Sequence, residues 1–257
     1  MLELNVQKLL GGLNPTDQVL DVGGWACPFN RAQWILDAQP FETRGFRRTY
    51  GATPSQGGDE EWFTRDTWIQ RDMCDRVPWP FADRQFDVVI CSHTLEDVRD
   101  PLRVCAEMIR VGKRGYVEVP SRAYESSLGI ERPHQAGLSH HRWLIDIRGS
   151  DLSFLQKYHM IHSHWRFALP RGYGRALSRE RCVQWLWWES EFTFREVMIH
   201  GLEAVERELE DYVRRTYPYP EWKLRLSELW RRVSPLPERA VAAALRRITD
   251  RPSAPDR

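Results

Sequence analysis

Three aspartates carry the first chemical signal in this chain. Asp21 lies in the apolar run Val19–Val22, directly before Gly23 and Gly24. Asp37 ends the burst Trp34, Ile35 and Leu36, and Asp72 falls at the end of the run from Thr67 to Met73. Short apolar runs of this kind read as buried parallel strands, and the glycine pair marks a place where the backbone turns sharply or lies close to a ligand. Acids at the carboxyl ends of neighbouring strands face the crevice where open α/β sheets bind small molecules. One such acid is commonly a helix cap; three in order point to a ligand.

Charge selects among nucleoside ligands. A dinucleotide pyrophosphate on the glycine turn would be repelled by Asp21, and the spacing lacks G-x-G-x-x-G. S-adenosylmethionine has no phosphate. Its ammonium and sulfonium are compatible with an acid beside the turn, while Asp37 can accept hydrogen bonds from both ribose hydroxyls. For proton transfer, histidine is the first candidate near neutral pH. His93 follows the strand FDVVICS, and His140 with His141 lies in a loop beyond the fifth strand. The alternatives for these residues are a helix cap, packing, or a surface pair anchored by Trp143. His134, His140, His141, His159, His162 and His164 fall close together, but no spaced cysteine or carboxylate completes a metal motif, so no metal site is expected. Trp185, Trp187 and Trp188 either stack on a sugar or aromatic acceptor or pack a sheet against helices.

The elements that must position these residues alternate. Asn5 to Leu10 reads as a short helix closing over the first strand. Strands follow at Val19–Val22, Trp34–Leu36, Thr67–Met73, Phe86–Ser92 and Gly115–Val119, with a helix over Pro101–Val111 stopped by Gly112. Phe41 to Arg65 lacks periodicity and reads as a long loop or lid, and any helix after Pro28 must be brief or irregular. Beyond Ser121 come a polar insertion over 121–150 and aromatic-rich strands expected at Leu152–Lys157, Tyr158–His164 and Val183–Met198. A helix is expected over residues 201–217, with two more over Glu221–Val233 and Pro237–Ile248.

The motifs VLDVGG, Asp37, Asp72, PWPFADRQFDVVICSHTLEDVRDP and RGYVEVPSR together resemble those of class I S-adenosylmethionine-dependent methyltransferases. The likeness is to the small-molecule branch whose fourth strand reads FDVV-x-x-x-x-x-LEHV-x-D-P, and to a little-characterised bacterial group within it. It implies a Rossmann-like, doubly wound, mainly parallel α/β sheet with added strands and C-terminal helices. By position it implies that Asp21, Gly23 and Gly24 hold the amino acid end of the cofactor and Asp37 the ribose. Asp72 with Met73 would read the adenine, and Cys91 and Ser92 would cover the methionine moiety. Trp25 and Cys27 stand where the family's loop usually has glycine, and Asp97 replaces the histidine of LEHV.

A net charge of +1 gives no electrostatic footprint for nucleic acid. Five cysteines without a C-x-x-C pair suit a reducing cytoplasm, and no run reaches membrane-spanning length. The expected organisation is a methyltransferase domain over 1–200 and a helical extension over 201–250, with a homodimer through the last helices as one option. The expected function is methyl transfer to an oxygen or nitrogen of a small molecule or glycan. The competing readings are a non-catalytic cofactor-binding scaffold and a nicotinamide oxidoreductase.

Overall fold

A computed structural model of the chain describes residues 1–45, 56–220 and 222. Residues Met1–Val213 form one compact unit, and the chain from Arg214 onward belongs to a second. Helix α1 (Glu3–Gly11) precedes β1 (Val19–Val22), β2 (Trp34–Asp37), β3 (Trp68–Gln70) and β4 (Phe86–Ser92). Helix α2 (Pro101–Val111) runs into β5 (Gly112–Pro120), followed by a single turn, α3 (Arg122–Glu125). Next come β6 (Trp143–Arg148), β7 (Asp151–Gln156), the turn α4 (Arg179–Cys182), β8 (Val183–Glu189), β9 (Thr193–Val197) and α5 (Leu202–Thr216).

The main sheet has the order β3-β2-β1-β4-β5-β8. Its first five strands are parallel and β8 runs antiparallel on β5, giving the expected Rossmann-like α/β class. β1 and β4 are buried along almost their whole length because side chains cover both faces of a parallel sheet. On one face α1, Phe29, Phe63, Trp68 and Tyr116 pack together; on the other lie α2, Trp79, Phe86 and Trp188. Helix α2 starts at Pro101, with the Asp100 side chain accepting from the Arg103 amide, and buries Val104, Cys105, Met108 and Val111.

The structure corrects several expectations. The crossover from β1 to β2 contains no helix, and its backbone is held by side chains instead. Tyr158–His164 is not a strand: His159–His162 forms a 3-10 turn, because Ile161 is the one residue of that turn buried. Trp143–Arg148, which sequence reading left unassigned, is β6. The span Val183–Met198 is two strands broken at Ser190, which has φ 65°. Only β8 completes the main sheet. β6, β7 and β9 form a separate sheet in which β7 and β9 are parallel. Ile145, Leu152 and Phe154 join the core cluster that holds α2, while Leu144 and Leu155 cluster with Val205 and Leu209 of α5. The helices expected at Glu221–Val233 and Pro237–Ile248, and any dimer through them, lie outside the described residues apart from Trp222.

Trp188 can lie flat on β5 because its neighbours there are glycines. A Cβ on Gly115 would fall 2.1 Å from the Val89 carbonyl oxygen and 2.7 Å from the Trp188 ring. Gly115→Ala therefore destabilises the fold by about 1–3 kcal/mol or more, from overpacking against backbone that cannot yield. Chemical denaturation checks this, and unchanged stability would show that β5 and β8 part easily.

Candidate active site

The sheet order reverses between β1 and β4, so the crevice at their carboxyl ends is the place this architecture provides for a ligand. β1 runs directly into Gly23, whose φ of 77° an L side chain rarely adopts and whose added Cβ would lie 2.1 Å from Thr94 Oγ1. Thr94 sits just past β4, with Oγ1 within 3.4 Å of the Val22 and Gly23 carbonyls and 3.2 Å of that of Ser92. The ends of the two strands are thereby locked together with no room for a side chain between them.

Asp21 is 3% exposed, and its Oδ2 accepts the Phe29 amide at 2.8 Å. Burial pushes its carboxyl up to about 7; the Phe29 bond opposes this and the charge of nearby Asp37 adds to it. A Cβ on Gly24 would meet Asp21 Oδ2 at 2.4 Å, so glycine there gives the carboxylate its space. Asp37 is also buried. Its Oδ2 accepts the Trp25 amide at 3.0 Å and its Oδ1 the Gln39 amide at 2.8 Å; burial raises its carboxyl, and these bonds lower it. Trp25 thus occupies one of the acceptor positions on Asp37 that sequence reading reserved for a ribose, leaving the remaining lone pairs.

The third acid stands apart. Asp72 lies beyond β3 with its side chain 48% exposed, its Oδ1 on the Cys74 amide and its Oδ2 paired with Arg99. Met73 is buried, and its carbonyl accepts the Trp79 indole N–H. Cys91 is fully buried among core side chains, where burial pushes its thiol well up. Ser92, half-buried at the end of β4, has a buried Oγ without a hydrogen bond among the described residues. Asp21, Gly23, Gly24, Asp37 and Ser92 therefore converge on the switch point, whereas the Asp72 carboxylate is turned to Arg99.

The histidines sit against carboxylates that sequence reading did not pair with them. His93 has φ 53°, donates its amide to the Glu118 carbonyl, and places Nε2 3.3 Å from Glu118 Oε1 and Nδ1 3.5 Å from Glu96 Oε1. Burial works to lower its pKa, but the two carboxylates win and raise it to about 9. Its side chain is 44% exposed, so solvent tempers that attraction. Glu118, raised by burial, is held down to about 2 by His93, Tyr116 and the Leu2 amide. At pH 7 His93 is therefore an imidazolium, which donates rather than accepts a proton, contrary to a simple base role. His141 is buried, with Nδ1 2.9 Å from Glu125 Oε1, and Glu125 Oε2 accepts from Lys157 at 2.8 Å. Burial lowers the His141 pKa, but Glu125, Glu96 and Asp97 raise it overall. His140 is exposed and 3.9 Å from Asp97.

The insertion that carries this pair is tied to the loop after β4: the Arg142 amide donates to the Glu96 carbonyl at 2.7 Å. Two further histidines serve the backbone. His162 Nδ1 accepts the Ala136 amide and His164 Nδ1 the Arg166 amide. Of the tryptophan group, Trp188 is buried and Trp187 packs on Tyr116 and Lys8; Trp185 is the exposed member.

Residues 38–117 match a family model described as "Methyltransferase domain". Two proteins named "Uncharacterized methyltransferase", from Mycobacterium sp. strains KMS and JLS, are 38% identical over 85 residues, 33% of this chain. The chain spans 30% of the length of these curated relatives. Among solved structures, an S-adenosylmethionine-dependent methyltransferase from Mesorhizobium loti is 16% identical with TM-score 0.31, covering 57% of this chain and 61% of that one. One from Aquifex aeolicus is 16% identical with TM-score 0.33, covering 50% and 70%.

Two titrations check the site. Asp21 binds its proton more tightly folded than unfolded, so wild-type stability falls as pH rises from about 4 to about 7. Asp21→Asn keeps an acceptor for Phe29 and removes the buried charge. It is expected to be more stable than wild type at pH 8, by roughly a few kcal/mol, and not at pH 4. Thermal unfolding at the two pH values decides it. For His93 the folded pKa is raised, so its stabilisation is complete below about 6.5 and lost as pH rises through about 9. An NMR titration of the His93 ring is expected to show a midpoint near 9; one near 6.5 would mean that Glu96 and Glu118 do not hold its proton.

Proposed function

We propose that this chain, which carries a class I methyltransferase domain, transfers a methyl group from S-adenosylmethionine to an oxygen or nitrogen of a small molecule or glycan. The observation that carries the reading is Asp21. It is a buried carboxyl beside a glycine turn at the switch point, its pKa held up by burial and by the adjacent second acid Asp37. A cationic ligand group placed there restores its ionised form. Asp21 and Gly23 would receive the amino acid end of the cofactor, Asp37 the ribose, and Ser92 Oγ would find the partner it lacks. When bound, the cofactor supplies an electrophilic methyl on a sulfonium.

The residues of this chain then position and exclude. Methyl displacement needs an in-line approach, and most of its acceleration comes from alignment. The insertion over 121–142 lies beyond β5 and is pinned to Glu96, where it walls the acceptor side of the crevice. His93 as an imidazolium can donate to an acceptor oxygen and orient it, and it becomes a base only as pH passes about 9. Trp185, exposed on β8 opposite Glu118 in register, offers a face for a sugar ring. The non-catalytic alternative draws support from the Trp25 amide already seated on Asp37, and binding without turnover would favour it.

Calorimetric titration with S-adenosylmethionine and S-adenosylhomocysteine is the test. Both are expected to bind, with at least roughly tenfold loss in Asp21→Asn, as for removal of a charged hydrogen bond. Labelled-methyl transfer to candidate hydroxyl and amine acceptors then follows. Absence of binding to either ligand, or binding of NAD in their place, would overturn the proposal.

A further inference from the structure

Where the loop after β4 meets the insertion before β6, Asp97, His140 and His141 each bring one donor atom into a space where all three lie within 4.8 Å of one another. We propose that these three side chains bind a divalent first-row transition ion, of which zinc is the test case. The site differs from the cofactor crevice in its residues, and its occupation does not depend on methyl transfer.

His141 is already set for ligation. Its Nδ1 is engaged by Glu125, which Lys157 holds in turn, so Nε2 is left facing Asp97 Oδ1 at 3.7 Å and Glu96 Oε1 at 4.0 Å. A carboxylate behind one ring nitrogen fixes the tautomer and presents the other nitrogen to a metal. His140 Nε2 approaches Asp97 Oδ2 at 3.9 Å, with the two imidazole rings edge-to-face at 4.5 Å.

The gaps themselves argue for an ion. A proton on His141 Nε2 shared with Asp97 or Glu96 would draw them to about 2.7–2.9 Å, the distance at which Nδ1 meets Glu125. The observed 3.7–4.0 Å is too long for those hydrogen bonds. It is close to the roughly 3.4 Å that separates donors around a tetrahedral ion with bonds of about 2.0–2.1 Å. An independent observation agrees. Glu96 is 1% exposed and reaches His93 Nδ1 only at 3.5 Å and His141 Nε2 only at 4.0 Å, and the buried Asp97 Oδ1 makes no hydrogen bond among the described residues. Buried carboxylates so loosely partnered are costly, and a cation at Asp97 and the two histidines offsets that cost. His93 and Lys157 also face this group, and Lys157 is spent on Glu125 and the Leu138 carbonyl.

Ligand type sets the ion. Two imidazoles and one carboxylate favour zinc, iron(II), cobalt(II) or nickel(II) over magnesium or calcium, which prefer all-oxygen sites. The side chains of His140 and Asp97 are 60% and 40% exposed, so the remaining coordination positions open to solvent. A site with three protein ligands and an open position can take a further oxygen or nitrogen ligand.

The test uses the full chain stripped with a chelator, without S-adenosylmethionine. Zinc is titrated by calorimetry, and cobalt(II) by its visible absorption, which reports coordination directly. One equivalent is expected to bind, with His140→Ala and Asp97→Asn each weakening it at least about tenfold and Glu125→Gln by about 10–100-fold. His134→Ala, an exposed histidine elsewhere on the insertion, is expected to leave binding unchanged. His140 is at the surface, so its variant should fold, and circular dichroism checks that it does. No stoichiometric binding, or equal binding by His140→Ala, would overturn the proposal. Either result leaves S-adenosylmethionine binding by the same protein as a separate measurement, so the two proposals fail independently.

Discussion

A crossover without a helix is the constraint on which the candidate cofactor site depends. Two parallel neighbours are usually joined through a helix that satisfies its own amides. Here residues 23–33 join β1 to β2 in irregular backbone, so their polar groups need partners from elsewhere. Asp21 takes the Phe29 amide, Asp37 takes that of Trp25, Gln56 reaches the Cys27 carbonyl, and the Asn30 amide donates to the Gln56 carbonyl. The two acids thus do double duty as staples of the loop and as the charges of the site. Their geometry is set before any ligand arrives, and the same burial that orders them disfavours their ionised forms.

A similar economy holds on the other side of the switch point. Glu96, Glu118 and Glu125 are each 1% exposed, and isolated charges at that depth would not be tolerated. Glu118 is shared among Tyr116, His93 and the Leu2 amide, while Glu125 is shared between His141 and Lys157. Glu96 is the least satisfied, and its backbone is where the insertion attaches. Histidines that look like free bases in the sequence are consequently partners of fixed negative charge. Their task shifts from removing a proton to holding one, or to holding a cation.

Much of the sheet was legible because parallel strands buried on both faces must be short apolar runs, and Val19–Val22, Phe86–Ser92 and the Gly-stopped helix Pro101–Val111 have no other reading. Gly23 was legible as a glycine because of its place between strand and turn; Thr94, the side chain that makes it obligatory, was not, since their contact spans the switch point. The second sheet was hidden for a different reason. Alternation at Leu152–Leu155 announces a strand but not its partner, and aromatic content at Tyr158–His164 imitates a strand where the chain instead makes a 3-10 turn. Asp72 shows the limit at side-chain level. Its position along the chain matched a ligand-facing acid, but Arg99 arrives from the loop after β4 and claims it.

An open cavity and the sheet topology point to different places for a ligand, and the physics favours topology. A cavity of about 330 Å³ opens between α1 and the middle of the sheet, lined by Lys8, Leu13, Val88, Arg114 and Trp187. Val88 and Arg114 lie early in β4 and β5, away from Ser92, His93 and the acids. Parallel strands end together at one edge, and only there can loops from non-adjacent connections diverge to leave a crevice with several elements contributing polar groups. Among the described residues, several buried groups without hydrogen bonds gather at that edge: Ser92 Oγ, the Glu96 carboxylate and Asp97 Oδ1 lie at or beyond the end of β4, although Arg31 Nη1 and Trp188 Nε1 are unpaired elsewhere. Unmet polar demand of that kind is costly to fold around, so its concentration at one edge marks where this chain expects company more surely than empty space under α1 does.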